Sequence, residues 1–493
     1  MGEVNVLVLI VLFAFIVMMI MIGLFYSKRT KSAKDFWIGG GNVGAWVTAI
    51  SYVGTYTSTV ALIGGPSSTY RYGLGYGIWQ VAGSAWLFGL LPFLIMAVPM
   101  KRMATRLGSL TVPGWLSERF ESQAVRVVSA ALVTIMMIPY GTSVIQAAGV
   151  LLAKIANIPY IIGIVVTVVT VTVYMSFSGY MGISVNALIQ GWIMLIGALL
   201  IAPIALGRIG GMGEVLSRLT QIDPKLLEIP GTLSWGNFFS LSLVWGLICW
   251  GQPQLITRFY AVKDSRTLGI TMVVVCLFTV LTSGGYHLNG LIARAMYGNE
   301  FMGALDMAIP TIAADMLPSL LSAVFVAAAV AAAVAAAMST LASTGLVASS
   351  SIAKDLYEDY FLKKKGQAIS VKSSIRLSRI CTIIAMMLSF AFAVRPVSAV
   401  FTLAVFSQGT IAAALTGSMF FALYWKRANW QGCLASMVTG TTVTLVWYIL
   451  EIPGVHAYFP GIIASIIVFP AVSLLTPPPD ERIIKKAFGK LAS

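Results

Sequence analysis

Two adjacent hydroxyl residues follow a long run of small side chains in the second half of the chain. Residues Ala327 to Ala337 are almost all alanine or valine, and Ser339 and Thr340 come shortly after them. Small side chains let another backbone approach closely, and hydroxyl oxygens are hard, neutral ligands that suit an alkali cation. The pair is therefore a candidate sodium site. In the alternative interpretation both hydroxyls bond the carbonyl one turn back in their own helix, and the residue pattern leaves both open.

Backbone oxygens for such a site can come from the second apolar segment, which is rich in glycine and hydroxyl residues and ends at Gly64-Gly65-Pro66. We expect this helix to unwind between Gly54 and Ser58. A second interruption, from Trp245 to Pro253, lies five segments later. Irregular backbone in a bilayer persists only where it lines a cavity or is buried in protein, and paired broken helices are typical of a transporter's binding site. Ordinary packing by Gly and Pro explains either break taken alone.

The elements that position these residues are predicted to be membrane-spanning helices. Of the 493 residues, 58% are hydrophobic and 10% are charged, against about 25% charged in a soluble domain. A bilayer core needs about 20 apolar residues per helix, and the sequence supplies thirteen such runs. We therefore predict an all-α integral membrane protein of about 13 transmembrane helices, with the lipid bilayer as its surroundings.

The basic residues give an orientation. With thirteen alternating spans, 25 of the 32 lysines and arginines lie on one side. The positive-inside rule assigns that side to the cytoplasm. We therefore expect a multi-pass cell-membrane protein with its N-terminus outside and its C-terminus in the cytoplasm.

Several classes of function are disfavoured. The net charge of +15 is explained by orientation, so no nucleic-acid partner is expected. The sequence lacks a G-x-x-x-x-G-K-[ST] loop, so no nucleotide is expected. Only two histidines are present, too few for the clustered groups of a membrane enzyme. His287 is interpreted as a hydrogen-bonded helix-contact residue, with a proton relay as its alternative. The four cysteines are interpreted as small core residues.

Five motifs together resemble the sodium:solute symporter family, which includes sodium/proline and sodium/pantothenate symporters. These are Asp35-Phe36-Trp37-Ile38-Gly39-Gly40, the second segment through Pro66, Gly251-Gln252-Pro253 with Arg258-Phe259, Ala336-Ala337-Met338-Ser339-Thr340-Leu341, and Lys354-Asp355-Leu356-Tyr357. The resemblance implies one polytopic domain with a LeuT-like core of two inverted five-helix repeats. Its expected parts are a peripheral first helix at 1–30, repeats at about 42–208 and 236–425, two last helices at about 430–476, and a cytoplasmic tail at 477–493.

The resemblance also implies site residues. For sodium, the coupling ion, they are the carbonyls of Gly54, Thr57 and Ala336 and the hydroxyls of Ser339 and Thr340. For the solute they are Ser58, Thr59, Tyr140, Trp245 and Cys249.

Two departures from the family pattern bear on stoichiometry and solute. Ala187 stands where some relatives place an aspartate for a second sodium, which makes a second sodium doubtful. Cys249 replaces an aromatic residue of proline-type relatives, which enlarges or reshapes the pocket and counts against proline itself as the solute.

We therefore expect sodium-coupled uptake of a small organic solute, a carboxylate such as pantothenate, since several loop motifs resemble the pantothenate symporter. The alternative is a sodium- or proton-coupled permease for a monocarboxylate or a proline-like amino acid. A channel, or a solute sensor built on the same fold, also stays open.

Overall fold

The computed structural model describes residues 6–57, 59–155, 157–315, 334, 337–367, 369–395 and 400–489. These residues form helices and turns without a strand, and one isolated bridge pairs Val43 with Val262. The first half contains α1 (Val6–Ser27), α2 (Ala33–Ile38), α3 (Ala45–Tyr56), α4 (Thr59–Tyr72), α5 (Leu74–Leu107), α6 (Val112–Phe120), α7 (Gln123–Ile155), α8 (Tyr160–Ile209) and α9 (Met212–Ile222). The second half contains α10 (Trp235–Ile248), α11 (Pro253–Ala261), α12 (Ser265–Tyr297), α13 (Ala308–Asp315), α14 (337–350, continuing as a π-helix over Ser351–Leu362), α15 (Val371–Ala393), α16 (Val400–Tyr424), α17 (Trp430–Ile449), α18 (Tyr458–Leu475) and α19 (Glu481–Phe488).

Eight of the described helices are long and apolar enough to cross a membrane. They are α5, α7, the second part of α8, α12, α15, α16, α17 and α18. The predicted all-helical membrane fold is confirmed. The number thirteen stays a prediction, because two expected spans are broken into short pieces and because residues 316–333 of another lie outside the described part of the chain.

Both predicted breaks are present. The second expected span divides into α3, of 12 residues, which ends at Tyr56, and α4, of 14 residues, which begins at Thr59. The seventh divides into α10 and α11, which are joined by a 3₁₀ turn at Cys249–Gly251 and by Gln252 in an extended conformation. Pro253 opens α11, where its missing N–H costs no hydrogen bond.

Helix α3 lies in the centre of the bundle. Eight consecutive residues, Thr48 to Thr55, are buried, and a helix buried on all faces must be surrounded by other elements. It packs against α8, α11 and α12, while α4 packs against α7 and α12. The broken span is therefore enclosed by helices from both halves of the chain.

Helix α8 contains two expected spans and turns sharply between them. The turn is at Gly179, whose φ of 58° and ψ of −176° are readily available only to glycine. The kink lies beside Thr30 and Phe36, at the same end of the bundle as residues 27–41. The second part of α8, which contains Ala187, begins after it.

The end of the bundle that carries most basic residues is held together by ion pairs. We call it the basic end. The C-terminal helix α19 docks there: Arg106 donates to the carbonyl of Phe488 at 2.6 Å, and Lys486 lies 3.0 Å from Glu118. Ala487 is fully buried in this contact. The segment expected as a tail thus contains a helix packed against the bundle.

Candidate sodium and solute site

The interruption after α3 exposes backbone oxygens inside the bundle. At the end of a helix the last carbonyls have no partner in that helix. Thr57 leaves the helical conformation, with φ −75° and ψ 74°, although its N–H still donates to the carbonyl of Val53 at 2.7 Å. The carbonyls of Gly54 and Thr55 are then available to other groups. They lie at the negative end of the helix dipole, which favours a cation.

Both hydroxyls of the candidate pair reach across to these carbonyls. Ser339 Oγ donates to the carbonyl oxygen of Gly54 at 2.7 Å, and Thr340 Oγ1 donates to that of Thr55 at 3.1 Å. Both side chains are completely buried. Helix α14 and the end of α3 thus meet, and the two hydroxyls bridge them.

The resulting oxygen set fits a monovalent cation. Two carbonyls and two hydroxyls from two separate helices lie within hydrogen-bond distance of each other across the contact. Within the described residues there is no group of three or more His, Cys, Asp or Glu side chains that could hold a metal. Neutral hard oxygens without thiolate, imidazole or carboxylate suit an alkali ion better than a transition metal. Thr57 lies at the interruption itself, and Ala336 lies outside the described residues.

Close backbone contact makes this meeting possible. A Cβ atom placed on Gly54 would lie 2.9 Å from the carbonyl oxygen of Ala187 in α8. Only glycine allows the two backbones to approach this closely. Ala187, where relatives with a second sodium are expected to place an aspartate, therefore lies directly against a candidate ligand of the first.

A buried arginine from one of the family motifs adjoins this site. Arg258 of α11 is 2% exposed. Its guanidinium donates to Ser51 Oγ and Thr55 Oγ1, each at 2.5 Å. Longer contacts of 3.3 Å reach Ser184 and Ser343. Within the described residues no carboxylate lies in ion-pair distance of Arg258, so its charge is held by neutral hydroxyls.

Arg258 therefore ties three helices to α11. Ser51 and Thr55 belong to α3, Ser184 to α8 and Ser343 to α14. Thr55 connects the two arrangements, because its carbonyl accepts from Thr340 and its hydroxyl accepts from Arg258. The signal available in the sequence was the motif Gly251-Gln252-Pro253 with Arg258-Phe259, since the charge pattern counts Arg258 among the 25 basic residues of one side.

The structure describes the side chains of only some of the solute residues that the resemblance implies. Tyr140 is buried in α7, and Cys249 is buried in the 3₁₀ turn between α10 and α11. Ser58 lies outside the described residues. The backbones of Thr59 and Trp245 belong to α4 and α10, but their side chains lie outside the description.

Tyr56 is a candidate residue beside the interruption that sequence reasoning missed. Its ring stacks on Phe88 with a centroid distance of 3.8 Å. Its hydroxyl lies 3.2 Å from Ser84 Oγ. Tyr56 thus ties the end of α3 to α5, which contains both Phe88 and Ser84. Its position directly before Thr57 was the available signal.

A small polar cavity of about 30 Å³ lies beside the interruption. Its lining includes Tyr56, Thr57, Gly65, Ser84, Thr282 and His287. This volume is about that of one water molecule. His287 Nδ1 lies 2.6 Å from Thr69 Oγ1, so this histidine joins α12 to α4 as the helix-contact interpretation predicted.

Comparison with known proteins agrees with this geometry. Residues 36–440 match the model of the Sodium:solute symporter family. The osmoregulated proline transporter OpuE of Bacillus subtilis (strain 168) is 28% identical over 493 residues, covering 96% of each chain. The high-affinity proline transporter PutP of the same organism is 28% identical, over 94% of this chain and 97% of that one. A sodium/proline symporter of Staphylococcus aureus (strain JH9) is 27% identical, over 96% of this chain and 94% of the relative.

Solved structures show the same fold. A Na⁺-coupled sialic acid symporter, solved in a substrate-bound outward-open state, superposes with a TM-score of 0.82 at 19% identity, over 97% of this chain and 99% of that one. Mhp1, a nucleobase-cation-symport-1 family transporter in a closed conformation, gives a TM-score of 0.55 at 12% identity, over 91% and 96%. At these identities the similarity establishes the LeuT-like fold alone.

Proposed function

The chain belongs to the sodium:solute symporter family and is a sodium-coupled symporter of an organic solute, and on that premise we propose that it carries proline or a closely similar amino acid. The support is that the relatives named above are transporters of proline and align over nearly their whole length. These relatives favour a proline-like amino acid over pantothenate, the main expectation from the sequence, which rested on motifs in loops and helix ends.

The observation that carries the proposal is the contact between α14 and the broken span. We propose that sodium binds between Gly54, Thr57 and Ala336, through their carbonyls, and Ser339 and Thr340, through their hydroxyls. In this position the ion joins two helices that are also linked by these hydrogen bonds. Sodium binding then stabilises the arrangement that receives the solute.

The solute is proposed to bind where α4 begins. The N-terminal end of a helix attracts an anionic group, and a sodium ion beside it adds to that attraction. A carboxylate at this point places the rest of the solute near Tyr140, Trp245 and Cys249, with Ser58 and Thr59 at the interruption. We add Tyr56 to this set, because it directly precedes Thr57 and lines the small cavity beside the interruption. Buried Cys249, a small residue, leaves more room than an aromatic side chain would.

Transport is proposed to follow alternating access. The repeats at about 42–208 and 236–425 each contribute one broken span, and one repeat rocks against the other around the fixed site. The N-terminus is placed outside and the C-terminus inside, which puts the basic end in the cytoplasm. Sodium and solute must then stabilise each other's bound state by a coupling energy of about 1–3 kcal/mol.

The test is uptake into proteoliposomes that contain the purified full-length protein. L-proline, pantothenate, lactate and acetate are compared as labelled solutes, each with an inward sodium gradient or with an equal potassium or proton gradient. We expect concentrative, saturable uptake of L-proline with the sodium gradient alone.

Two results would contradict the proposal. Sodium-driven accumulation of pantothenate without proline would restore the main expectation from the sequence. Uptake that never exceeds equilibrium would indicate a channel.

A further inference from the structure

Two lysine side chains converge on a glycine loop at the basic end of the bundle. A Cβ atom placed on Gly41 would lie 3.8 Å from Nζ of Lys34 and 3.9 Å from Nζ of Lys101. Lys34 belongs to α2 and Lys101 to α5. Both ammonium groups therefore border one small space, which the absent side chain of Gly41 leaves open. We call Lys34, Lys101 and Gly41 the lysine cradle.

The charge of the lysine cradle is not balanced by a carboxylate. Within the described residues neither lysine forms a salt bridge. Asp35 accepts hydrogen bonds from the backbone at the start of α2, and Asp264 does so at the start of α12. Lys101 Nζ donates to the carbonyl of Tyr260 at 2.9 Å, which is a neutral partner. Because like charges that border one space repel each other, the cradle favours a bound anion.

The loop that contains Gly41 is tied to the second half of the chain. The N–H of Val43 donates to the carbonyl of Ala261 at 2.9 Å, and the N–H of Lys263 donates to the carbonyl of Val43 at 3.1 Å. This bridge places Lys263, which is exposed, beside the loop. The cradle is thus built from separate parts of the chain that backbone hydrogen bonds hold together, and a third basic residue adjoins it.

The helices that lead inward from the cradle present apolar side chains on the outside of the bundle. Leu94 precedes Lys101 by seven residues in α5, and residues seven apart lie on one face of a helix. Ile270 and Val273 lie in the first three turns of α12, which packs against α5. All three apolar side chains are exposed, as is Trp46 at the start of α3. Since tryptophan is enriched where a membrane meets water, the cradle lies at the level of lipid head groups.

We propose that the lysine cradle binds the phosphate of an anionic phospholipid, whose acyl chains lie against the exposed apolar residues of α5 and α12. Ammonium groups donate strong, charge-assisted hydrogen bonds to phosphate oxygens. Basic pockets between membrane helices on the cytoplasmic side bind the head groups of anionic lipids. The apolar surface below the lysines favours a lipid over a free phosphate.

A lipid in this position acts on the transport machinery without contacting sodium or solute. The loop at Gly41 leads into α3, and Lys101 bonds the last turn of α11, which contains Arg258. Bound phosphate would therefore stabilise the relative positions of α2, α5 and α11. The inference does not depend on the identity of the solute.

Lipid binding to the purified full-length protein tests the site by native mass spectrometry in detergent. Phosphatidylglycerol is the probe, and phosphatidylcholine is the lipid without net charge. Glycerophosphoglycerol, the same head group without acyl chains, and inorganic phosphate serve as soluble competitors. The test variant is Lys34→Gln with Lys101→Gln. Its matched control is Lys364→Gln with Lys365→Gln, which removes the same charge from exposed lysines at the same end.

We expect phosphatidylglycerol to bind more tightly than phosphatidylcholine. The affinity for phosphatidylglycerol should fall by about tenfold in the test variant and stay the same in its matched control. Replacing both Lys34 and Lys101 by arginine should preserve binding, because the positive charges remain. The soluble competitors should not displace the lipid at equal concentration.

Two results would overturn the site. Equal affinity for the two lipids, or an equal loss in both glutamine variants, would show that binding follows overall charge or apolar surface alone. Displacement by either soluble competitor at equal concentration would indicate a site for free phosphates.

Labelling of the unmodified chain decides the matter if the test variant does not fold. Amine modification of Lys34 is measured by peptide mass spectrometry in phosphatidylcholine nanodiscs with and without phosphatidylglycerol. We expect phosphatidylglycerol to slow modification of Lys34 but not of Lys364. Equal rates at Lys34 in the two membranes would contradict the proposal.

Discussion

Ser339 Oγ and the carbonyl oxygen of Gly54 lie 2.7 Å apart, although the two residues are separated by 285 positions in the chain. This contact joins the end of a broken helix to the helix that follows the alanine-rich run. Thr340 and Thr55 repeat the arrangement one residue further along. Cation binding here would therefore depend on the distance between α3 and α14, which belong to different halves of the molecule.

Removing either hydroxyl should weaken sodium binding more than solute binding. For Ser339→Ala and Thr340→Ala we expect the sodium concentration for half-maximal uptake to rise by about tenfold or more, because a tenfold change corresponds to about 1.4 kcal/mol of lost interaction. Sodium titrations of proteoliposome uptake at saturating solute measure this. Thr344→Ala is the matched control, since its hydroxyl bonds the carbonyl of Leu341 within the same helix. An unchanged sodium requirement in Ser339→Ala and Thr340→Ala would refute the assignment.

A methyl group on Gly54 should force two backbones apart. The Cβ of Gly54→Ala would lie 2.9 Å from the carbonyl oxygen of Ala187, a backbone atom that cannot move aside easily. Overpacking of this kind costs about 1–3 kcal/mol. We expect a lower thermal unfolding midpoint in detergent and weaker sodium binding. Gly269→Ala provides the comparison, because a Cβ there meets no atom within 4 Å. Equal midpoints for the two variants would rule out the close contact.

Arg258 should limit transport to one sodium ion. Its guanidinium already donates to Ser51, Thr55, Ser184 and Ser343, whose oxygens would be the natural ligands of a second cation near Ala187. A positive charge in their midst also repels another ion. We expect the ratio of charge to solute moved, measured with a zwitterionic solute in voltage-clamped proteoliposomes, to be about one by this argument. A ratio of two would contradict the role of Arg258.

Lysine at position 258 should not support transport as well as Arg258 does. The compact ammonium of Arg258→Lys cannot span hydroxyls on three helices, as the planar guanidinium does. We expect the maximal uptake rate to fall by about tenfold or more, equivalent to about 1.4 kcal/mol, with normal expression. Arg294→Lys is the control, because Arg294 is also buried and bonds Asn299 away from the site. Similar rates for Arg258→Lys and the unmodified chain would show that a positive charge alone is sufficient.

The buried carboxyl of Asp355 at the basic end should make stability depend on pH. Burial raises its pKa to about 7, against the opposing effects of the Thr111 hydroxyl at 2.7 Å and of Arg126 at 3.7 Å. Its Oδ2 atom has no hydrogen-bond partner within the described residues, which favours the protonated form. Because this pKa lies above the unfolded value of 3.8, the folded state holds the proton more tightly. The stabilisation is complete below about pH 4 and is lost as the pH rises through about 7.

The measurement compares thermal midpoints of the unmodified chain and of Asp355→Asn between pH 4 and pH 8. We expect the difference between them to change with pH in favour of the unmodified chain at the acidic end. Asp264→Asn is a suitable control, since Asp264 caps α12 at the surface with its pKa lowered by backbone hydrogen bonds, chiefly to Thr267. A constant difference across this range would show that Asp355 does not titrate on unfolding.

Sequence patterns located the two breaks because glycine, proline and hydroxyl residues inside an apolar segment interrupt the helix at the positions where they occur. They also identified Ser339 and Thr340. They did not decide between bonding within the helix and bonding across to Gly54, because that choice depends on the distance between two helices. The hydroxyls around Arg258 come from three separate elements, and no spacing in the sequence brings them together. Tyr56 was missed for the same reason, since its neighbours lie in other helices.

The neutral surroundings of Arg258 have an electrical consequence. Since its positive charge has no acidic partner within the described residues, the protein carries a buried charge before any ion arrives. Moving one elementary charge across a membrane potential of 100 mV involves about 2.3 kcal/mol. In the proposed alternating-access cycle, a displacement of α11 during the return of the empty carrier would shift that charge through part of the field. We therefore expect the resting voltage of the cell, and not only the solute concentrations, to influence how quickly the empty carrier returns.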